Sequence, residues 1–176
     1  MGNQLNDDFN LFNYDAGKFS FDANIIIDFF YNNYEKILEE IFLNKIYLSS
    51  LILTELKAYN LKTLNFKEVE ITTSEGSEYF YLIGRKFHGL SVQDKHLITI
   101  CKFNNYYCIT NDNLVRNVCA KEGTKKIGTL VILDEAIRIN LIKAIDAVTI
   151  LDEMISNGMY LSKKLYNNFI SKLKLH

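Results

Sequence analysis

The chain has 176 residues, of which 48% are hydrophobic and 23% charged, which is the composition of a globular protein with one sizeable core. The formal net charge of -1 argues against a general polyanion binder, because such proteins normally carry a broad basic face. Three cysteines without a Cys-x-x-Cys pair indicate neither a zinc knuckle nor a disulfide framework. Nothing resembles a signal peptide or an apolar span of about 18 residues, so we expect a cytoplasmic protein.

The first part of the chain alternates short apolar runs with helical patterns. A polar leader occupies residues 1–17. Asn24 is predicted to cap the first helix, and Ser49 or Ser50 the helix that contains Glu55. In chain order we predict a strand at 19–21, helices at 25–31 and around 35–42, a strand at 45–48, the Glu55 helix, and a strand at 66–72.

The second part continues the alternation and ends in helices. Ser74 is predicted to cap one helix, and Asn111 or Asp112 to begin another. We predict helices at 74–86 and 92–103, a strand at 106–109, a helix to about 121, a strand at 125–127, and helices at 130–140, 144–156 and 162–174. Residues 18–142 form the main body in this interpretation, and residues 143–176 a helical C-terminal extension of the same domain.

The alternation of strands and helices predicts an α/β fold in which a parallel sheet carries helices on both faces. Asp22 and Asp112 then follow the carboxyl ends of two strands. Ligands of such sheets bind outside these ends, where the strand order reverses.

Four acidic residues each close or follow an apolar run, and they are the candidate site: Asp22, Glu55, Asp94 and Asp112. Glu55 follows Leu51, Ile52 and Leu53, which we expect to turn it toward the interior end of its helix. Converging carboxylates would repel one another and raise their pKa values unless a cation lies between them. Mg²⁺ and Mn²⁺ prefer hard oxygen ligands, and the lack of a His or Cys cluster disfavours zinc.

Each acid also has a purely structural explanation. Asp22 and Asp112 could simply begin helices, because free N–H groups and the positive dipole end of a first turn favour carboxylates. Asp94 could form a variant capping box with Ser91. Glu55 could be an ordinary exposed helical residue.

The basic residues near these motifs also need a functional and a structural interpretation. Arg116 lies four residues after Asp112, a spacing that suits either a phosphate contact or an intrahelical ion pair with Asp112. We expect His88 and His96 to be surface side chains rather than a general base.

The order of four short motifs resembles the PIN-domain nucleases, to which the VapC toxins belong. The motifs are Phe-Asp22-Ala-Asn24, Ser-Ser-Leu-Ile-Leu-Thr-Glu55, Gly-Leu-Ser-Val-Gln-Asp94 and Ile-Thr110-Asn-Asp112. Ile-Gly128-Thr129-Leu130 followed by helices resembles a subfamily with a Gly-Thr-Leu segment and a helical C-terminal extension.

The resemblance implies a three-layer α/β/α fold with about five parallel strands. It also implies a metal-dependent endoribonuclease that uses Mg²⁺ or Mn²⁺, cleaves RNA and acts as the toxin of a toxin-antitoxin pair with a protein antitoxin. The four acids would bind metal and catalyse, Asn24 and Thr110 would orient ligands and waters, and Arg116 would contact substrate.

Two other functions stay open. One is a non-catalytic PIN-like scaffold that binds RNA or an antitoxin, and a less favoured one is a phosphatase with an aspartyl nucleophile.

The last helix carries an apolar stripe, which we expect to complete the protein's own core, although a homodimer or antitoxin contact is the alternative. The stripe consists of Leu161, Leu165, Phe169 and Leu173.

Overall fold

The computed structural model describes residues 17–173, so the polar leader expected at 1–17 lies outside the described residues except for Gly17. The strands are β1 (Phe19–Phe21), β2 (Ile46–Leu48), β3 (Phe66–Glu68), β4 (Tyr107–Ile109) and β5 (Lys126–Ile127). The helices are α1 (Ala23–Tyr31), α2 (Glu35–Ile41), α3 (Ser50–Glu55), α4 (Ser74–Lys86), α5 (Val92–Asn104), α6 (Asn113–Lys121), α7 (Thr129–Arg138), α8 (Ala144–Ser156) and α9 (Lys163–Leu173).

The five strands form one parallel sheet in the order β3-β2-β1-β4-β5. From β1 the chain first builds outward through β2 and β3, and it then returns to add β4 and β5 on the other side. The strand order therefore reverses between β1 and β4, which makes this pair the point where ligands of open α/β sheets bind.

Two hydrophobic clusters cover the two faces of the sheet. Side chains of β1 such as Phe19 and Phe21 enter the larger cluster with α1, α2, α7, α8 and α9, while Tyr47 and Cys108 enter the smaller one with α4, α5 and α6. This division follows from the alternation of side chains along each strand. The predicted α/β/α architecture with a five-stranded parallel sheet is confirmed.

The C-terminal helix α9 packs on the larger cluster. Phe169 is 1% exposed, and Leu161, Leu165 and Leu173 are partly buried against the same side chains. An ion pair of 2.7 Å between Lys172 Nζ and Asp134 Oδ1 also ties α9 to α7. The apolar stripe thus completes the protein's own core, as favoured from the sequence.

Several local predictions were wrong at element ends. Strand β3 stops at Glu68 rather than Thr72, because its neighbour β2 ends at Leu48. The Leu48 carbonyl still accepts from the Val69 N–H at 3.0 Å, and Ser49 then caps α3. Helix α1 is capped by Asp22 rather than Asn24, and α4 by Thr73 rather than Ser74, since the residue before each first turn accepts the free N–H. Between residues 17 and 173, every helix is too short or too polar to span a bilayer.

Candidate active site

Asp22 and Thr110 lie side by side because they follow the two strands at which the sheet order reverses. Asp22 comes directly after β1 and Thr110 directly after β4, and the Asp22 backbone N–H donates to the Ile109 carbonyl at 2.9 Å. Parallel pairing brings both strand ends to the same edge of the sheet. A carboxylate and a hydroxyl from distant parts of the sequence therefore meet here.

The Asp22 carboxylate is 8% exposed and has defined hydrogen-bond donors. Its Oδ2 accepts from Thr110 Oγ1 at 2.8 Å, and its Oδ1 accepts from the Asn24 backbone N–H at 3.2 Å. Burial raises the pKa of Asp22, the two hydrogen bonds oppose this, and the charges of Asp94 and Glu55 raise the pKa further. A cation at this carboxylate would relieve both the desolvation and the repulsion.

Asp112 is joined to Asp22 through the same hydroxyl. The Asp112 backbone N–H donates to Thr110 Oγ1 at 3.1 Å, while its Oδ1 accepts from the Val115 N–H at 2.8 Å and caps α6. Asp22 likewise caps α1. Helix capping and a place in the site are therefore compatible roles for these two carboxylates. A helix that begins at the end of a strand places its capping carboxylate at the edge of the sheet.

Asp94 forms the capping box that was its structural alternative to a site role. Its Oδ2 accepts from the Ser91 N–H at 2.8 Å, and the Ser91 hydroxyl accepts from the Asp94 N–H at 2.9 Å. This cap leaves Asp94 partly exposed at the start of α5. Asp94 acts on Asp22 through its charge, which raises the pKa of Asp22.

Glu55 ends the short helix α3 and is exposed, so the expectation that it turns toward the interior was wrong. The physical reason is that Ile52 and Leu56 already fill the inward face of this stretch, which turns Glu55 outward. Its charge nevertheless raises the pKa of Asp22.

A cleft of about 500 Å³ opens at this edge of the sheet. Its lining includes three residues that the sequence predicts for the site, Asp22, Asn24 and Asp112. The other two predicted acids, Glu55 and Asp94, are not part of this lining. The lining residues are Asp22, Asn24, Asp28, Asn111, Asp112, Asn113, Gly158, Met159 and Tyr160. Across residues 17–173, no three Asp, Glu, His or Cys side chains come close enough to form a ready-made metal centre.

Asp28 is a residue of the cleft that the sequence interpretation missed. Burial and the neighbouring charge of Asp22 raise its pKa to about 6. It lies one helical turn after Asn24 on α1, so both side chains reach the same cleft. A signal was present, because Asp28 is the only charged residue in α1, most of whose residues are apolar or aromatic.

The loop between Thr110 and Asp112 is held by Asn111. Its Nδ2 donates to Thr129 Oγ1 at 2.9 Å, and its Oδ1 accepts from the Thr129 N–H at 3.1 Å. Gly128 makes room for this pair, since a Cβ at position 128 would lie 2.7 Å from Asn111 Oδ1. The start of α7 thereby fixes the segment that carries Asp112.

Arg116 lies half-buried beside the cleft. Its Nη1 donates to the Thr110 carbonyl at 3.0 Å, and the side chain lines a smaller cavity together with Asn111 and Asn113. This hydrogen bond holds one nitrogen of the guanidinium against the backbone of the loop between Thr110 and Asp112.

The two histidines differ from each other. His88 is exposed, as expected, but His96 is 8% exposed, so its expected surface position was wrong. His96 lies on the face of α5 that packs against Phe80, and its Nε2 is 3.3 Å from Glu70 Oε2. Burial lowers the pKa of His96, and Glu70 partly opposes this effect.

Comparison with known proteins agrees with this geometry. The model of the family DUF3368, described as a PIN domain, matches residues 18–175, which includes the sheet, the cleft and the C-terminal helices. No curated protein and no solved structure shows a significant match. With acidic side chains at the reversal of a five-stranded parallel sheet and a family match over nearly its whole length, the chain belongs to the PIN-domain family, whose members are generally nucleases.

Proposed function

We propose that the protein is a metal-dependent endoribonuclease that hydrolyses RNA phosphodiester bonds. The observation that carries the proposal is that Asp22 and Asp112 line one cleft and are held by one side chain, since the Thr110 hydroxyl donates to the Asp22 carboxylate and accepts from the Asp112 backbone N–H. Catalysis is assigned to residues 18–142, with residues 143–176 as a helical extension of the same domain.

The residues of the cleft fit Mg²⁺ or Mn²⁺. The donors are hard oxygens, and burial together with the charges of Asp94 and Glu55 disfavours an ionised Asp22 without a counter-ion. Mg²⁺ keeps several waters and needs only one or two direct carboxylates. We assign direct binding to Asp22 and Asp112, and contact through water to Glu55 and Asp94.

The protein's own groups would position the reactants. When bound, the ion would supply an activated water and charge neutralisation at the phosphate. Thr110 holds the Asp22 carboxylate in one orientation, and Asn24 donates to it through its backbone. Arg116 would contact a phosphate next to the cleft, because its guanidinium is already fixed beside Thr110.

We further propose that the enzyme acts in the cytoplasm as the toxin of a toxin-antitoxin pair. The support is the resemblance of its four motifs to those of VapC toxins and of Gly128-Thr129-Leu130 to a PIN subfamily segment. A protein antitoxin and self-association as a homodimer belong to this proposal. Expression of the wild type should arrest growth, and Asp22→Asn should not.

The second candidate is a PIN-like scaffold that binds RNA or an antitoxin without cleavage. It is favoured by one observation: in the described part of the chain, no three potential metal-binding side chains converge. The enzyme is preferred because Mg²⁺ does not require three direct protein ligands.

Cleavage of a labelled RNA separates these functions. The proposal predicts cleavage with Mn²⁺ or Mg²⁺, none with EDTA, and no hydrolysis of p-nitrophenyl phosphate. RNA binding without cleavage would favour the scaffold, and metal-dependent hydrolysis of the small ester would favour the phosphatase.

A further inference from the structure

We propose that Tyr160 forms a stacking subsite for one unpaired nucleobase of the RNA strand, placed next to the cleft. The inference rests on the proposed ribonuclease function and specifies its substrate as single-stranded RNA at this position. Tyr160 lies in the connection between α8 and α9, in the helical extension rather than among the acidic motifs.

The position of Tyr160 joins two cavities. Tyr160 lines the cleft that contains Asp22 and Asp112, and it also lines the neighbouring cavity that contains Arg116 and Leu165. A strand that runs from the cleft toward Arg116 would therefore pass Tyr160, with the adjacent nucleotide on the side of the second cavity.

The Tyr160 side chain is exposed although its backbone is anchored. Tyr160 is 73% exposed, while its neighbour Met159 is 7% exposed and belongs to the larger core cluster. The Met159 N–H donates to the Met154 carbonyl at 2.9 Å, and Leu161 packs on the same cluster. These anchors on both neighbours restrict the Tyr160 backbone, which reduces the backbone freedom lost when a base stacks on the ring.

The charges beside the ring also suit a nucleotide. The cleft carries Asp22, Asp28 and Asp112, which repel phosphates, whereas Arg116 lines the second cavity and not the cleft, and Asn113 lines both. A cation attracts the backbone on that side, and the Asn113 amide provides donors and an acceptor for a base edge. Affinity for the strand must then come from outside the acidic cleft.

An exposed aromatic ring selects unpaired bases. In a duplex both faces of each base are already covered, whereas a splayed base offers a free face for stacking. The subsite is therefore expected to act on a single strand and to tolerate any base, because each base has such a face.

The test measures binding apart from cleavage. Full-length protein in EDTA is titrated into a fluorescein-labelled single-stranded RNA, and anisotropy gives the affinity for Tyr160→Ala, Tyr160→Leu and Tyr160→Phe. We expect roughly 10-fold to 100-fold weaker binding for Ala and Leu and near wild-type binding for Phe, because only Phe keeps the ring. Tyr81→Ala is the matched control, since Tyr81 is 70% exposed on α4 and lines neither cavity.

A spectroscopic readout identifies stacking itself. With 2-aminopurine in the RNA, the wild type and Tyr160→Phe should quench its fluorescence on binding, and Tyr160→Ala should not. Unchanged affinity and quenching in Tyr160→Ala, while the wild type binds and cleaves RNA, would overturn the subsite and leave the proposed function intact. A wild type that neither binds nor cleaves the strand would contradict the proposed function as well.

Discussion

The hydroxyl of Thr110 donates to the carboxylate of Asp22 across two neighbouring parallel strands, at a distance of 2.8 Å. Thr110 is fully buried, and the same oxygen accepts from the Asp112 N–H at 3.1 Å. One side chain therefore sets the orientation of the first acidic motif relative to the last. This linkage depends on the strand order, because only neighbours in the sheet can share it.

Replacement of the Thr110 hydroxyl should lower both the stability of the protein and its RNA cleavage rate. We expect Thr110→Val to lower the free energy of unfolding by about 1–3 kcal/mol, since a buried carboxylate loses a donor. It should also raise the pKa of Asp22 further and reduce metal-dependent RNA cleavage. Urea unfolding and the cleavage rate measure the two effects. Thr110→Ser keeps the hydroxyl and should retain most of both, and equal losses in the two variants would contradict the role of the hydrogen bond.

Two substitutions separate the proposed site role of Asp94 from its role as a helix cap. Ser91→Ala removes one half of the capping box and should cost about 1 kcal/mol of stability without loss of cleavage. Asp94→Asn should cost a similar amount but should also lose metal-dependent cleavage, because its charge contributes to the site of Asp22. Parallel thermal unfolding and cleavage assays decide the question. If Asp94→Asn cleaves RNA as well as Ser91→Ala does, Asp94 is only a cap.

Asp28 should make the metal-free protein sensitive to pH. Its pKa is raised to about 6 by burial and by Asp22, so its contribution to stability is complete below the unfolded value of 3.8 and is lost as pH rises through about 6. In EDTA, Asp28→Asn should therefore gain on the order of 1 kcal/mol over the wild type at pH 8 after allowance for solvent screening, and little at pH 4.

Thermal unfolding at both pH values measures this gain. Glu78→Gln, on the exposed side of α4 and outside the cleft, serves as the control for the loss of a carboxylate, and the difference between the two variants at each pH isolates the effect of Asp28. A pH-independent effect of Asp28→Asn would show that its charge is not held near Asp22.

Helix α9 should be required for folding. Phe169→Ala is expected to lower the free energy of unfolding by about 3–5 kcal/mol, because Phe169 is 1% exposed in the larger cluster. Asn168→Ala, one residue earlier and exposed, should change it by only about 0.5 kcal/mol or less. Denaturant unfolding with light scattering checks both, and a folded Phe169→Ala monomer derived from a wild-type dimer would instead identify an interface.

The sequence was sufficient for the parts of the site that depend on local patterns. Apolar strands precede Asp22 and Asp112, which predicts both at strand ends, and the spacing of Ser91 and Asp94 allows the capping box that the structure contains. Parallel strands then bring Asp22 and Thr110 together, whatever the details of the helices.

The remaining features depend on tertiary packing. Tyr160 reaches the cleft only because α9 returns to the larger cluster, and His96 is buried only because α4 covers that side of α5. No local spacing in the sequence reports how two helices meet, so the positions of Tyr160 and His96 could not be predicted. Glu55 differs, because it faces outward where Ile52 and Leu56, four residues apart, take the inner positions, and this spacing is visible in the sequence.

The most direct test of the account is the RNA cleavage rate of Asp22→Asn in saturating Mn²⁺, compared with wild type and with Asp152→Asn, an exposed aspartate on α8. Residues behind a metal ligand already change affinity or activity by about 10- to 100-fold. The account therefore predicts a loss of roughly 100-fold or more for Asp22→Asn, with circular dichroism unchanged and Asp152→Asn fully active. A folded Asp22→Asn protein that cleaves RNA at the wild-type rate would contradict it.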